Sequence, residues 1–109
     1  MKADTHDWKL VGTVDEIPKR GARRVLHGER RIALFRTGDD QIFALEDKCP
    51  HKNGQLSQGI VHGNCVTCPL HNWVISLETG HAQGMDEGRT QSYPVRVSDR
   101  QIYLDFTFN

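Results

Sequence analysis

The sequence lacks any long hydrophobic run and any excess of charge of one sign, and each absence excludes a class of protein. No apolar stretch exceeds four residues, the length of the run at 32–35, whereas a membrane-spanning helix needs about 20. Asp4 and Asp7 interrupt the segment where a secretory signal would need an apolar core. Fourteen Lys and Arg balance fourteen Asp and Glu, so no net charge attracts the chain to nucleic acid or to an anionic membrane. We therefore expect a cytoplasmic protein that binds neither.

Cysteine is also scarce. Three cysteines in 109 residues are an odd number and too few for a disulfide scaffold. They lie close to histidines in a chain of cytosolic type, which favours metal binding over disulfide formation. The length itself predicts a single domain.

The middle of the chain differs in composition from its flanks. Residues 49–85 contain one basic residue, Lys52, and one acidic residue, Glu78, but all three cysteines, four of the six histidines and five of the ten glycines. Gly, Pro, Asn and Ser are too frequent there for a long helix. We interpret this segment as a lobe of loops on short strands.

The flanks predict β structure, because short runs rich in β-branched and aromatic residues recur between turn signals. The candidate strands are residues 9–12, 23–27, 31–37, 41–46, 93–97 and 101–106. Segments 36–40 and 97–101 separate neighbouring strands as hairpin loops. Only residues 15–19 favour a helical turn, which Pro18 limits. The fold class is therefore all-β, with an antiparallel sandwich or small barrel that carries an inserted lobe.

Alternation in the last strand predicts one buried face and one face that meets water. The residues expected to be buried are Ile102, Leu104 and Phe106, and those expected to be exposed are Tyr103, Asp105 and Thr107.

Two short motifs, separated by sixteen residues, supply metal ligands: Cys49-Pro50-His51 and Cys68-Pro69-Leu70-His71. Each motif provides one thiolate and one imidazole. Such a set suits either a tetrahedral zinc ion or a two-iron cluster with two histidines on one iron. The paired arrangement favours the cluster, because each loop can deliver one ligand to each iron.

This pattern resembles the Rieske [2Fe-2S] signature. The resemblance implies that Cys49 and Cys68 ligate the inner iron. It implies that His51 and His71 ligate the outer iron through nitrogens close to solvent. It also implies a single Rieske domain over 1–109, with a basal antiparallel sheet from 1–46 and 86–109 and a cluster-binding subdomain at 47–85.

Cys65 and the other histidines are given roles outside the cluster. Cys65-Val66-Thr67-Cys68 has neither the His that a c-type haem site needs nor the βαβ context of a thioredoxin-like site. We interpret Cys65 as a buried strand residue. The alternative is a structural zinc site formed by Cys49, Cys65, Cys68 and one histidine. His6, His27, His62 and His81 are expected not to bind the metal.

The residues around the ligands bear on the reduction potential, which charge, hydrogen bonds to sulfur and solvent exposure control. High-potential Rieske proteins of respiratory complexes, which this chain resembles in its ligands, add a disulfide across the cluster and a serine near the second histidine. The matching positions here are Gly54, Leu70 and Trp73. We therefore expect a potential toward the low end of the ~ −150 to +300 mV Rieske range.

Longer stretches of sequence resemble the small subunit of assimilatory NAD(P)H nitrite reductase. They are residues 49–59, Cys68-Pro69-Leu70-His71-Asn72-Trp73, Leu77-Glu78-Thr79-Gly80 and Asp86-Glu87-Gly88. The resemblance implies a partner large subunit with FAD, a [4Fe-4S] cluster and sirohaem, which reduces nitrite to ammonium. The chain would belong to that oxidoreductase as an electron-transfer subunit and would have no catalytic residues of its own. It shows no nicotinamide or flavin fingerprint.

Two alternatives remain at this point. One is a free Rieske ferredoxin that serves an aromatic-ring dioxygenase and its reductase. Ring-hydroxylating ferredoxins more often have a glycine after the second histidine, where this chain has Asn72, so Asn72 favours nitrite reductase. The other is an interaction module held together by zinc, in which Cys65 is a ligand.

Overall fold

The computed structural model describes residues 7–50, 54–70, 72–84 and 88–106. Within these residues the chain forms ten β-strands and two 3₁₀ turns, and it forms no α-helix. The strands are β1 (Trp8–Thr13), β2 (Gly21–His27), β3 (Arg30–Arg36), β4 (Ile42–Glu46), β5 (Ile60–His62), β6 (Cys65–Thr67), β7 (Val74–Ser76), β8 (Ser92–Tyr93), β9 (Val95–Ser98) and β10 (Gln101–Asp105). All pairings between them are antiparallel. The all-β prediction is confirmed.

The central layer is a four-stranded sheet in the order β2-β3-β4-β8. Its strand β3 is buried on both faces, which explains why residues 32–35 form an unbroken apolar run. Ile32 and Leu34 point into one core, whereas Ala33 and Phe35 point into another. The hairpin predicted at 36–40 joins β3 to β4, where Thr37 N donates to Gln41 O at 2.9 Å.

The first core fills the space between this sheet and a three-stranded sheet in the order β1-β10-β9. Ile102 and Leu104 of β10 are fully buried there. The predicted turn at 97–101 is confirmed: Asp99 and Arg100 both have positive φ angles, 52° and 63°. Two consecutive left-handed residues suit the twist of a two-residue hairpin.

Two expectations for the C-terminal region were wrong. The strand predicted over 93–97 is two strands, because β8 joins the four-stranded sheet and β9 joins the three-stranded sheet. Pro94 lies between them and has no N–H to donate to a sheet. Asp105, expected to face water, is fully buried, and its Oδ2 accepts a hydrogen bond from Asp7 N at 3.3 Å.

The middle of the chain contributes a small sheet in the order β5-β6-β7. Val61, Val66 and Ile75 of this sheet pack into the second core, together with Phe35 and Leu45 of the central sheet. The small sheet therefore rests on the face of the central layer that is opposite to the first core. A 3₁₀ turn at Leu56–Gln58 precedes β5.

The helical turn expected at 15–19 is a 3₁₀ turn at Val14–Glu16. The turn ends before Pro18, as expected from the limit that this proline sets. A search of the described residues finds no helix long and apolar enough to cross a membrane.

Candidate metal centre

Cys49 and Cys68 are brought together by the second core. Cys49 follows the end of β4, and Cys68 follows the end of β6. Each is 1% exposed, and both belong to the same cluster of buried side chains. The strands of two different sheets thus deliver the two thiols to one buried region.

The two loops that start at these cysteines are closed in the same way. Cys49 N donates to Gly54 O at 2.8 Å, and Cys68 N donates to Trp73 O at 2.7 Å. Each bond spans five residues, so the two loops are equivalent in their backbone closure. The predicted ligands His51 and His71 belong to these loops in sequence, but both lie outside the described residues.

Gly54 marks where the two loops touch. A Cβ atom at this position would lie 3.1 Å from Cys68 Sγ and 3.0 Å from Leu70 Cδ1. The first loop therefore packs its backbone directly on the second cysteine. Gly54 and Leu70, the two positions compared above with the disulfide of high-potential proteins, are neighbours in space.

A third segment covers both loops. A Cβ at Gly88 would lie 3.2 Å from Pro50 Cβ and 3.5 Å from Trp73 Cζ3. Pro50 and Trp73 are half-buried, while Leu70 at the tip of the second loop is 55% exposed. These three uncharged residues lie on the loops that start at the two cysteines, and we call them the rim.

Asn72 has a left-handed backbone conformation, with a φ angle of 61°. Its N–H donates to Cys68 O at 3.1 Å, which completes a tight turn after the second cysteine. Left-handed positions favour glycine and, among other residues, asparagine. The turn therefore favours asparagine or glycine at position 72.

Cys65 lies on strand β6 as predicted, but it is half-buried instead of buried. Successive side chains of a strand point to opposite faces. Because Val66 points into the second core, Cys65 points away from it, toward its cross-strand neighbours His62 and Ser76. This geometry separates Cys65 from Cys49 and Cys68 and argues against the zinc set.

His62 and His81 are placed by β structure and not by loops. His62 ends β5, and its Nε2 lies 2.6 Å from Thr67 Oγ1. His81 forms an isolated bridge with Arg89. In the part of the chain that the structure describes, no three His, Cys, Asp or Glu side chains group so that they could hold a metal ion.

Asp15, Tyr93 and Arg100 have shifted pKa values, and all three residues lie outside residues 47–85. A hydrogen bond from Arg100 lowers the pKa of the exposed Asp15 carboxyl, and the same bond raises the pKa of Arg100. Burial, followed by the charge of Glu46, raises the pKa of Tyr93. Tyr93 donates to Glu46 Oε1 at 3.2 Å. These three groups therefore lie in the part of the molecule on which the lobe rests.

The donor chemistry suits an iron–sulfur cluster. Thiolates are the ligands that such clusters prefer, and a buried setting limits their access to water. A Cβ at Gly54 would lie 3.1 Å from Cys68 Sγ, so the backbone of the first loop approaches the second thiol closely.

Comparison with known proteins defines the class. A family model described as the Rieske-like [2Fe-2S] domain matches residues 7–105. The chain therefore belongs to the Rieske-like [2Fe-2S] family and is an electron-transfer protein whose cofactor is a Rieske-type [2Fe-2S] cluster.

Individual relatives narrow the comparison further. The chain is 34% identical over 105 residues to the anthranilate 1,2-dioxygenase ferredoxin subunit of Burkholderia cepacia, which covers 95% of this chain and 96% of that one. It is 41% identical over 97 residues to the 3-phenylpropionate/cinnamic acid dioxygenase ferredoxin subunit of Photorhabdus laumondii, which covers 87% and 90%. A solved structure assigned as an NADPH nitrite reductase small subunit is 28% identical, with a TM-score of 0.81 over 90% of this chain and 97% of that one.

Several features of the site carried no sequence signal that we recognised. They are the contact of Gly54 with Cys68, the packing of Gly88 on both loops and the hydrogen bonds of Asp47, described below. All three join residues that are distant in sequence. The only indication in the sequence was that Gly54 lies between the two ligand motifs.

Proposed function

We propose that Cys49 and Cys68 bind the inner iron of the cluster and that His51 and His71 bind the outer iron. Support comes from the burial of both cysteines in one core and from the equivalent closure of the two loops. When bound, the cluster accepts and donates one electron at a time. Cys49 and Cys68 would hold the cluster from the buried side of the lobe, and His51 and His71 would supply its other two ligands.

We further propose that the chain is one Rieske domain over 1–109, with a basal part at 1–46 and 86–109 and a cluster-binding lobe at 47–85. The small sheet β5-β6-β7 and the two cysteine loops support this division. The second core shows that the two parts share buried side chains. The lobe is therefore expected to fold together with its base.

The ligand assignment is tested on protein purified without air. About two irons and two sulfides per chain are expected, with a reduced EPR signal whose average g value lies below that of all-cysteine clusters. His71→Cys should keep iron but lower the reduction potential, because a thiolate adds negative charge to the outer iron. Cys65→Ser is the matched control and should change neither property. An unchanged potential in His71→Cys would remove His71 from the ligand set.

For the biological role, we propose a ferredoxin that carries electrons to a ring-hydroxylating dioxygenase. The observation behind this proposal is the 34–41% identity, over 87–95% of the chain, to two dioxygenase ferredoxin subunits. The chain itself would not catalyse a reaction. Its rim would contact the oxygenase and, in turn, the reductase that supplies electrons.

The conformation of Asn72 removes an objection to this role. Asparagine in place of glycine after the second histidine favoured nitrite reductase at the level of sequence. A φ angle of 61° is accessible to both residues. Because the turn accommodates either residue, Asn72 is compatible with a dioxygenase ferredoxin as well as with a nitrite reductase small subunit.

The second candidate is the small subunit of NAD(P)H nitrite reductase. It is supported by the TM-score of 0.81 to a structure assigned to that role and by the resemblance of residues 49–59 to that family. Its partner would be a large subunit that holds FAD, a [4Fe-4S] cluster and sirohaem. The lower identity of 28% places it second.

An electron-transfer assay separates the two candidates. The reduced chain is mixed without air with the oxidised oxygenase component of an aromatic-ring dioxygenase, and its reoxidation is followed by visible absorbance. A parallel sample is mixed with a nitrite reductase large subunit and examined by gel filtration. Rapid reoxidation by the oxygenase supports the ferredoxin. A stable complex with the large subunit, combined with slow reoxidation by the oxygenase, would establish the nitrite reductase role instead.

A further inference from the structure

A buried carboxylate lies where the chain leaves the central sheet for the first cysteine loop. Asp47 directly follows β4, and its side chain is fully buried. Its backbone N–H donates to Arg31 O at 2.7 Å, which holds Asp47 against strand β3. A buried carboxylate is costly unless hydrogen bonds and an opposite charge compensate it.

Three hydrogen bonds compensate the Asp47 carboxylate. Ser57 N donates to Oδ1 at 2.7 Å, and Ser57 Oγ donates to Oδ2 at 2.7 Å. Arg24 Nε donates to the same Oδ2 at 2.8 Å. Arg24 belongs to strand β2, so the carboxylate joins the edge of the central sheet to the 3₁₀ turn of the lobe.

In sequence, Asp47 and Ser57 lie on either side of the first cysteine loop. Asp47 comes two residues before Cys49, and Ser57 comes three residues after Gly54. The loop between them is closed by the Cys49 N to Gly54 O bond. Next to Ser57, Leu56 is fully buried in the same core as Cys49. The Asp47 carboxylate thus ties together the two flanks of this loop.

We propose that Asp47, through Ser57 and Arg24, is a positioning residue that holds the first cysteine loop in its cluster-binding conformation. This inference rests on the proposed assignment of Cys49 as a ligand. Residues that orient metal ligands without touching the metal commonly contribute about 10–100-fold to metal affinity. Asp47 and Ser57 have this role because they hold the loop at both ends.

The chain offers a comparison for a purely structural role. Asp105 is also a fully buried aspartate, and it accepts a hydrogen bond from Asp7 N in the basal sheet. Replacing either aspartate by asparagine keeps the size of the side chain and removes its carboxyl group. Only Asp47 flanks a cysteine loop, so the two substitutions separate general stability from positioning of the cluster.

The first test uses the charge-neutral substitution Ser57→Ala. Iron release to a chelator and the EPR spectrum of the reduced protein are measured. Ser57→Ala should release iron about tenfold faster than wild type and should broaden or shift the EPR signal. Ser57→Thr should match wild type in both properties because it keeps the hydroxyl. The control is Ser76→Ala, another half-buried serine of the lobe, whose Oγ accepts from Thr79 N. It should behave as wild type.

The second test compares Asp47→Asn with Asp105→Asn. Unfolding in urea is followed by far-UV circular dichroism, and iron release is followed separately. Both variants are expected to unfold at lower urea concentration, whereas only Asp47→Asn should release iron faster while still folded. Equal rates of iron release in the two variants would overturn the positioning role.

The tests distinguish this inference from the ligand assignment. If wild-type protein binds two irons and two sulfides but Ser57→Ala matches it in iron release and EPR, Asp47 and Ser57 are structural residues only, and the ligand assignment stands. If Cys49→Ser retains the full cluster and its EPR signal, both the assignment and the inference are wrong.

Discussion

At the scale of single residues, Gly54 has an unusual requirement. Its φ angle is not positive, so the backbone does not need the conformational freedom of glycine. What it needs is space, because a Cβ would lie 3.1 Å from Cys68 Sγ and 3.0 Å from Leu70 Cδ1. The exposed Leu70 side chain can rotate away, but Cys68 Sγ cannot if it binds iron as proposed.

Gly54→Ala is therefore expected to lower the free energy of unfolding of the cluster-loaded protein by about 1–3 kcal/mol, the usual cost of overpacking. The measurement is a urea titration followed by the visible absorbance of the cluster. Gly38→Ala is the matched control, because the nearest atom to its Cβ is Arg20 Nε at 3.0 Å, near the end of a flexible side chain. Equal midpoints for the two variants would show that space beside Cys68 is not limiting.

At Asn72 the requirement is backbone conformation and not space, because its φ angle of 61° lies in the left-handed region. Asn72→Gly should change stability and EPR spectrum little. Asn72→Val should destabilise the protein by about 1–2 kcal/mol, because a branched side chain is strained in the left-handed region. Urea unfolding of both variants checks this. If glycine and valine are equivalent at position 72, the turn does not control the choice of residue.

At the scale of elements, strand β3 divides the molecule. Leu34 belongs to the core between the two basal sheets, and Phe35 belongs to the core that contains Cys49 and Cys68. The two residues are neighbours in sequence, and both are almost completely buried. One face of strand β3 thus packs in the core between the two larger sheets, and the other face packs in the core that contains Cys49 and Cys68.

Leu34→Ala and Phe35→Ala should therefore differ in their effect on the cluster. Both are expected to lower the free energy of unfolding, by about 2–5 kcal/mol for Leu34→Ala and about 3–5 kcal/mol for Phe35→Ala. Only Phe35→Ala should also broaden the EPR signal under conditions where the protein is folded. The measurement is EPR combined with circular dichroism on the same samples. A broadened signal in Leu34→Ala alone would contradict the assignment of faces.

At the scale of the whole molecule, the resemblance to high-potential Rieske proteins predicts a low reduction potential for this chain. The chain has zero formal net charge, Gly54 and Leu70 stand where high-potential relatives have a disulfide, and Trp73 stands where they have a serine. A hydroxyl that donates to a cluster sulfur stabilises the reduced cluster, and Trp73 supplies no hydroxyl. A carrier with a low potential can pass its electron to more acceptors.

We accordingly expect a midpoint potential near the low end of the ~ −150 to +300 mV Rieske range. An EPR-monitored redox titration at pH 7 measures it directly. The control is Cys65→Ser, whose side chain points away from the core that holds Cys49 and Cys68, and it should leave the midpoint potential unchanged. A wild-type midpoint in the upper half of that range would show that unrecognised hydrogen bonds to the cluster exist.

The sequence alone determined the class of protein and its fold class. Turn residues between short β-branched runs predicted antiparallel strands, and the hairpin after Val97 was correctly placed. The motif Cys49-Pro50-His51 and its counterpart at Cys68 predicted the [2Fe-2S] cofactor, because ligand types and their spacing are local properties of the chain. His51 and His71 remain predictions, since both lie outside the described residues.

Only the tertiary structure decided how distant segments meet. It divided the strand predicted over 93–97 at Pro94, buried Asp105, and directed Cys65 away from the core. It also placed Gly54 against Cys68 and linked Asp47 to Ser57. These outcomes depend on which strands pair and which faces are covered. Such contacts between distant residues are fixed by the packing of the whole chain and leave no periodic signal in the local sequence.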